Sequence, residues 1–278
     1  MSGAEAAGSE EAVISASMGQ PSTVATLIGD LHNLGLGVGD LVIIHSSLSR
    51  LGWVVGGAQA VVEALMAVVG SDGTLIMPTH SAHLSEPGRW TNPPVPTPWI
   101  STIRAAMPAY DPRLTPTRAM GAVVECFRSL DGAVRGSHPR LSFTGYGPLA
   151  EQIVAPHELD AGLGPESPLG RLYESGAKVA LLGVGHGNNT SLHLAEYLTC
   201  WPDKRDQLEG SPILVDGVRQ WVTYHELAVD DSDFELLGEA FAATGAETQS
   251  QVGSGTGRLF DQRQAVDFAT TWIQRVRR

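Results

Sequence analysis

The chain has 278 residues, of which 42% are hydrophobic and 17% charged, enough apolar material for a sizeable core and not the balance of a disordered chain. Thirty Asp and Glu against 18 Lys and Arg leave a net charge of −12, which excludes the basic faces that nucleic acids and anionic membranes require. Cys126 and Cys200 make no disulfide framework and point to reduced thiols.

Met1 to Gln20 is rich in Ala, Ser, Gly and Glu and has neither the basic start nor the apolar stretch of a signal peptide. It reads as a flexible tail ahead of one domain over 21–278. Nowhere do about 18 apolar residues run together, so a cytoplasmic location is expected. The first helix is predicted from Ser22, a candidate N-cap, with Val24, Leu27, Ile28, Leu31 and Leu34 at helical spacing and Gly35 as the stop. Leu41 to Ile44 is a short apolar run that reads as a buried strand ending in His45-Ser46-Ser47. A helix over Gly57–Val69 and a strand over Thr74–Met77 follow.

Residues 81–98 hold five prolines and forbid regular structure, the pattern of a lid or a binding wall. Beyond them the sequence predicts a helix over Arg118–Leu130, an extended segment over Ser142–Tyr146, a buried strand over Lys178–Gly183 and a helix over Thr190–Thr199. Asp216-Gly217 marks a tight hairpin, and helices near Asp233–Ala243 and Gln262–Val276 close the chain. No repeat and no dividing linker is visible. The alternation predicts an α/β fold: a single domain with a mostly parallel central sheet flanked by helices, plus a C-terminal hairpin and helices.

The densest chemical signal runs from Leu181 to Glu196, a strand entering a glycine turn and then a helix, where α/β sheets gather their chemistry. His193 and Glu196 stand three apart on one helix face, so the carboxylate can orient the imidazole as a general base; a surface His–Glu pair would show the same spacing. His45-Ser46-Ser47-Leu48 with Gly56-Gly57 reads as an anion-binding corner or as a plain glycine turn. No Walker A loop, no G-x-G-x-x-G after a strand, no H-E-x-x-H and no G-x-S-x-G occurs, and no metal site is expected. Between Asp203 and Glu247 eleven acids face three bases. Such a run is a solvated face or, if it lines a cleft, an attractor for a polycation.

Taken in order, these pieces resemble the aminoglycoside 3-N-acetyltransferases. They include Gly39-Asp40-Leu41 through Leu48, Gly56-Gly57, Gly73 through Pro78, Ser137-His138-Pro139, Gly147 through Glu151, Pro156-His157-Glu158-Leu159, Ser167-Pro168 and Leu181 through Glu196. The resemblance covers nearly the whole chain from about Thr23. It implies an α/β fold distinct from the histone-type N-acetyltransferases, and acetyl transfer from acetyl-CoA to the 3-amino group of a deoxystreptamine ring, conferring antibiotic resistance. By the same match His193 is the catalytic base and Glu196 its support. His45, Ser46, Ser47, Leu48, Gly56, Gly57 and Thr79 fall at the coenzyme A site, and Glu226, Asp230, Asp231 and His80 at the acceptor site. His80 stands where several members carry Trp, and the Pro-rich segment from Glu86 to Pro98 diverges, so the acceptor wall is expected to differ. A monomer or homodimer acting on a small molecule is implied. An enzyme of the same fold acting on another primary amine, or a silent module binding CoA or a cationic sugar, is the alternative.

Overall fold

The computed structural model describes residues 11, 13–15, 17 and 19–277. In chain order the main elements are α1 (Val24–Leu34), β1 (Leu41–Ser46), α2 (Gly57–Val69), β2 (Thr74–Pro78), α3 (Ile100–Ala106), α4 (Ala122–Arg128), β3 (Val134–Arg135), β4 (Phe143–Tyr146), α5 (Ala150–Val154) and α6 (Pro168–Glu174). Then come β5 (Lys178–Leu182), α7 (Leu192–Leu198), β6 (Asp206–Val215), β7 (Val218–Leu227), α8 (Phe234–Ala242), β8 (Thr248–Val252), β9 (Gly255–Asp261) and α9 (Gln262–Val276).

Seven strands pair in the order β3–β4–β2–β1–β5–β9–β8. The parallel pairing expected from the sequence occupies the centre, β2–β1–β5, while both flanks are antiparallel. Each flank ends in a hairpin-type pair, β3–β4 on one side and β8–β9 on the other. Alternation along the central strands divides the core into two layers. Val42, Ile44, Leu75, Met77, Ala180 and Leu182 meet α1, α2 and α4 on one side. Ile43, Ile76, Val179 and Leu181 meet α5 through α9 on the other. Residues i and i+2 share a face of a strand, so an uninterrupted apolar run supplies both layers.

Helix α1 begins one residue later than expected: Thr23 caps it, in a reciprocal pair with Thr26, and Gly35 ends it in the left-handed region at φ 109°. Asp216 and Gly217, both at positive φ, turn β6 into β7 and leave a separate ten-residue-per-strand ribbon. The Pro-rich segment docks on that ribbon. Arg89 donates to Gln207 Oε1 at 2.9 Å and Ser211 to the Leu84 carbonyl at 2.5 Å, and beyond the segment the Tyr110 N–H donates to the Pro212 carbonyl at 2.9 Å.

The helix expected over 118–130 shrinks to α4, and α3, α5, α6 and the β8–β9 hairpin were not predicted. Much of the expected N-terminal tail (residues 1–10, 12, 16 and 18) lies outside the described residues. Residues 11 and 13–15 are helical, and Ser17 Oγ accepts the Trp53 N–H at 2.6 Å. No helix among the described residues is long and apolar enough to cross a membrane.

Candidate active site

The chain leaves β1 through α2 to reach β2 on one side, and β5 pairs with β1 on the other. Connections departing in opposite directions open a crevice at the carboxyl ends of the strands. His45 and Ser46 end β1, Pro78 ends β2, and Gly183 follows β5, turning at φ 70° where an added Cβ would press on Arg50 at 3.0 Å.

Three hollows in this crevice share lining residues. The largest, a groove of about 780 Å³, is lined by Ser46, Ser47, Leu48, Gly56 and Gly57, with Arg50 and Trp53 beside them. Gly56 and Gly57 both take positive φ, which lets the chain turn directly into α2; that helix opens without a side-chain cap, its Gly57 N–H donating to the Val54 carbonyl at 2.9 Å, and its dipole favours an anion there. A cavity of about 280 Å³ holds His193, His80, Arg140, Glu226 and Asp231 in its wall. Between them a throat of about 90 Å³ is lined by His45, Ser46, Asn188 and Thr190 among apolar neighbours, sharing Asn188 and Met120 with both larger spaces.

His193 Nδ1 lies 2.6 Å from Glu196 Oε2, and Glu196 is wholly buried. The carboxylate thus fixes the tautomer and leaves Nε2 to the cavity. Glu196 Oε1 accepts from Arg277 Nη1 at 2.6 Å and from the Asp230 N–H at 2.9 Å. Arg277 in turn pairs with Asp233 at 2.6 Å and lies over the Trp201 ring. Burial alone would lower the Arg277 pKa, but the hydrogen bonds of Asp233 and Glu196 outweigh it and raise it. The residue is therefore a permanent counter-charge. Nothing local in the sequence marks Arg277, which joins the site across 81 positions.

The Ser191 side chain at the N-cap of helix α7 makes no capping hydrogen bond; Asn189 Oδ1 accepts the Ser191 N–H at 3.2 Å. His45 is buried, and burial, then the charges of His186 and His193, hold its pKa at about 3. His80 is likewise held well below the ordinary histidine value by burial and then Arg140, so both rings are neutral near pH 7.

Two of the expected residues stand apart from the hollows. Thr79 is fully buried under β4, where its hydroxyl meets Ser142 and Thr144, and it lines neither groove nor cavity. The Asp230 carboxylate accepts from the Ser232 N–H at 3.0 Å while its backbone serves Glu196. Glu226 does reach the cavity, but both oxygens are engaged, by the Gly162 N–H at 2.8 Å and the Tyr197 hydroxyl at 2.8 Å. The acidic run is not one solvated face: Glu209, Glu226 and Glu247 are buried, and Asp233 and Glu247 are salt-bridged to arginines. Asp231 also lines the cavity.

The family model described as aminoglycoside 3-N-acetyltransferase matches residues 43–274. An SPbeta prophage-derived aminoglycoside N(3′)-acetyltransferase-like protein, YokD of Bacillus subtilis, is 45% identical over 254 residues, covering 91% of this chain and 93% of that one. Its crystal structure superimposes with a TM-score of 0.93 at 43% identity, covering 96% of this chain and 98% of that one. The aminoglycoside N(3)-acetyltransferase VII of Streptomyces paromomycinus is 38% identical over 91% of this chain and 92% of its own. The structure of AAC-IIIb in binary complex with CoASH matches with a TM-score of 0.82 at 30% identity, over 91% of this chain and 97% of that one.

Proposed function

Because the chain belongs to the aminoglycoside 3-N-acetyltransferase family, we propose that it moves the acetyl group of acetyl-CoA to the 3-amino group of a deoxystreptamine aminoglycoside, with His193 as general base and Glu196 as its support. The observation that carries this reading is the buried carboxylate bonded to His193 Nδ1 on the wall of a cavity that adjoins the groove.

An ammonium has no lone pair to attack with, so the acceptor must first lose a proton. His193 Nε2 takes it, and the imidazolium so formed faces a carboxylate that is itself held by Arg277. The amine then adds to the thioester carbon, the tetrahedral species collapses, the C–S bond breaks, the thiolate recovers the proton from His193, and the second proton lost by the nitrogen passes to solvent. The groove fits a CoA chain by size, by its glycine turn and by the uncapped start of α2, with Ser46, Ser47, Leu48, Gly56 and Gly57 along it. Holding both substrates across the throat removes much of the entropic cost of their meeting. Asp231 is placed to attract an acceptor ammonium. The reading goes with a cytoplasmic enzyme working as a monomer or homodimer.

Acetylation of another primary amine is the second reading. It is favoured by Arg140 and the neutral His80 in the cavity wall and by the engagement of Glu226 within the protein. Incubation with acetyl-CoA and a panel of aminoglycosides bearing a free 3-amino group should release CoA thiol and give the 3-N-acetyl product by NMR. Thiol release with simple amines alone would select the second reading, and none with any amine would end both.

A further inference from the structure

We infer that His45 donates a hydrogen bond to the carbonyl oxygen of the acetyl thioester in the throat and so stabilises the oxyanion of the tetrahedral species. The inference rests on the acetyl-CoA reading above and assigns the one electrostatic role that His193 and Glu196 leave open.

Three observations support it. His45 and Ser46 line the narrow passage between the groove and the His193 cavity, the place where an acetyl group carried in the groove must meet an amine. Both carry a buried polar atom, His45 Nε2 and Ser46 Oγ, with no hydrogen-bond partner among the described residues. A buried donor without an acceptor costs about 1–3 kcal/mol, so a ligand oxygen is the natural partner. The rest of the throat is largely apolar, with Ile44, Pro78, Val124 and Val184, which strengthens any hydrogen bond formed there.

The ring suits a donor better than a base. Burial keeps His45 neutral, with its pKa at about 3, so it would hold an amine proton poorly. A neutral imidazole still offers an N–H, the form in which histidine polarises carbonyls in other enzymes. Neutrality also matters to its neighbour, because a charged His45 would oppose the imidazolium forming on His193. In the step itself, the amine lone pair forms the C–N bond and the carbonyl π pair moves to oxygen. That oxygen accepts from His45, and the pair returns as the C–S bond breaks.

The test compares His45→Leu, which removes the donor, with His45→Gln, which keeps an N–H. Loss of an oxyanion donor lowers kcat by about 10² to 10³. We expect that loss in His45→Leu, recovery of at least about tenfold in His45→Gln, and CoA affinity by calorimetry within about threefold of wild type. A second readout needs no turnover. The carbonyl stretch of a bound ketone analogue of acetyl-CoA, with CH2 in place of the thioester sulfur, should fall on binding to wild type and not in His45→Leu. Near-normal kcat in His45→Leu, CoA affinity lost in parallel with kcat, or an unshifted stretch in wild type would each overturn the inference. If His45→Leu does not fold, the stretch in wild type and His45→Gln against free analogue decides. A wild type that acetylates no amine removes the reading beneath, while the stretch still reports on His45.

Discussion

Two His–Glu–Arg sets, whose histidines stand seven positions apart, differ in what surrounds the ring. In one, His193 contacts Glu196, which is held by Arg277. In the other, His186 Nε2 lies 2.7 Å from Glu247, which also accepts from Arg258 at 2.7 Å. Both carboxylates are wholly buried. The His193 side chain is 15% exposed and borders the cavity, whereas that of His186 is 4% exposed and stacks on Phe260 at 5.2 Å. A Cβ on Gly238 would overlap the His186 ring, so that face is closed as well. Burial raises the Glu247 pKa, but hydrogen bonds from His186, Arg258 and Gln249 prevail and lower it. The same three residue types thus pin a loop in one place and, on our reading, prepare a base in the other. Access to a second ring nitrogen separates them.

The largest expected effect tests that separation directly. His193→Ala should lower kcat by about 10² to 10⁴ with little change in Tm, while His186→Ala should change kcat less than about tenfold and lower stability by roughly 2–4 kcal/mol through a buried void. Equal kcat losses, read by thiol release alongside urea melts, would erase the distinction. Next in size, Arg277→Met leaves Glu196 with less counter-charge, and Glu247→Gln does the reverse in the other set. Breaking a buried pair costs about 3–5 kcal/mol. Both variants should lose stability of that order, and Arg277→Met alone should also slow turnover; urea midpoints and kcat at saturating substrates check this.

Acid sharpens the contrast further. His45 and His157 are held at about 3, mainly by burial, against an ordinary 6.5. The unfolded chain takes up these protons first, so the stability they confer is full above pH 6.5 and drains as pH falls toward 3. Each drains about 1.4 kcal/mol per pH unit within that window. The urea midpoint should therefore be lower at pH 5.5 than at 7.5, and a flat profile would contradict the burial of these rings. The smallest effect concerns the acceptor. Asp231→Asn should raise its KM about fivefold, corresponding to an attraction on the order of 1 kcal/mol, with KM for acetyl-CoA unchanged. Asp230→Asn, whose carboxylate turns to Ser232, should leave the acceptor KM near normal; equal shifts in both would return the effect to overall charge.

The sequence announces the buried strands, α2 and the Asp216-Gly217 turn, because apolar runs and positive-φ residues are local signals. It is silent where the signal is not local. Helix α3 buries none of its residues and so shows no apolar stripe. Strand β8, Thr-Gln-Ser-Gln-Val at the sheet's edge, is polar and mostly exposed. His193 and Glu196 were legible as a pair at helical spacing, but Arg277 came from a distant turn of chain and could not be. Thr79 sits in the same short segment as strand β2, and only packing under β4 shows that it faces away from the groove.

The 81 positions between Glu196 and Arg277 also have a meaning in time. A ribosome adding about 5–20 residues per second makes Glu196 roughly 4–16 s before Arg277. Through that interval the carboxylate has no guanidinium to sit against, and burying it would be unfavourable. Seating helix α7 with that carboxylate buried therefore carries an uncompensated cost until the last residues of the chain are made, so the His193–Glu196 pair depends on the far end of the sequence for its support.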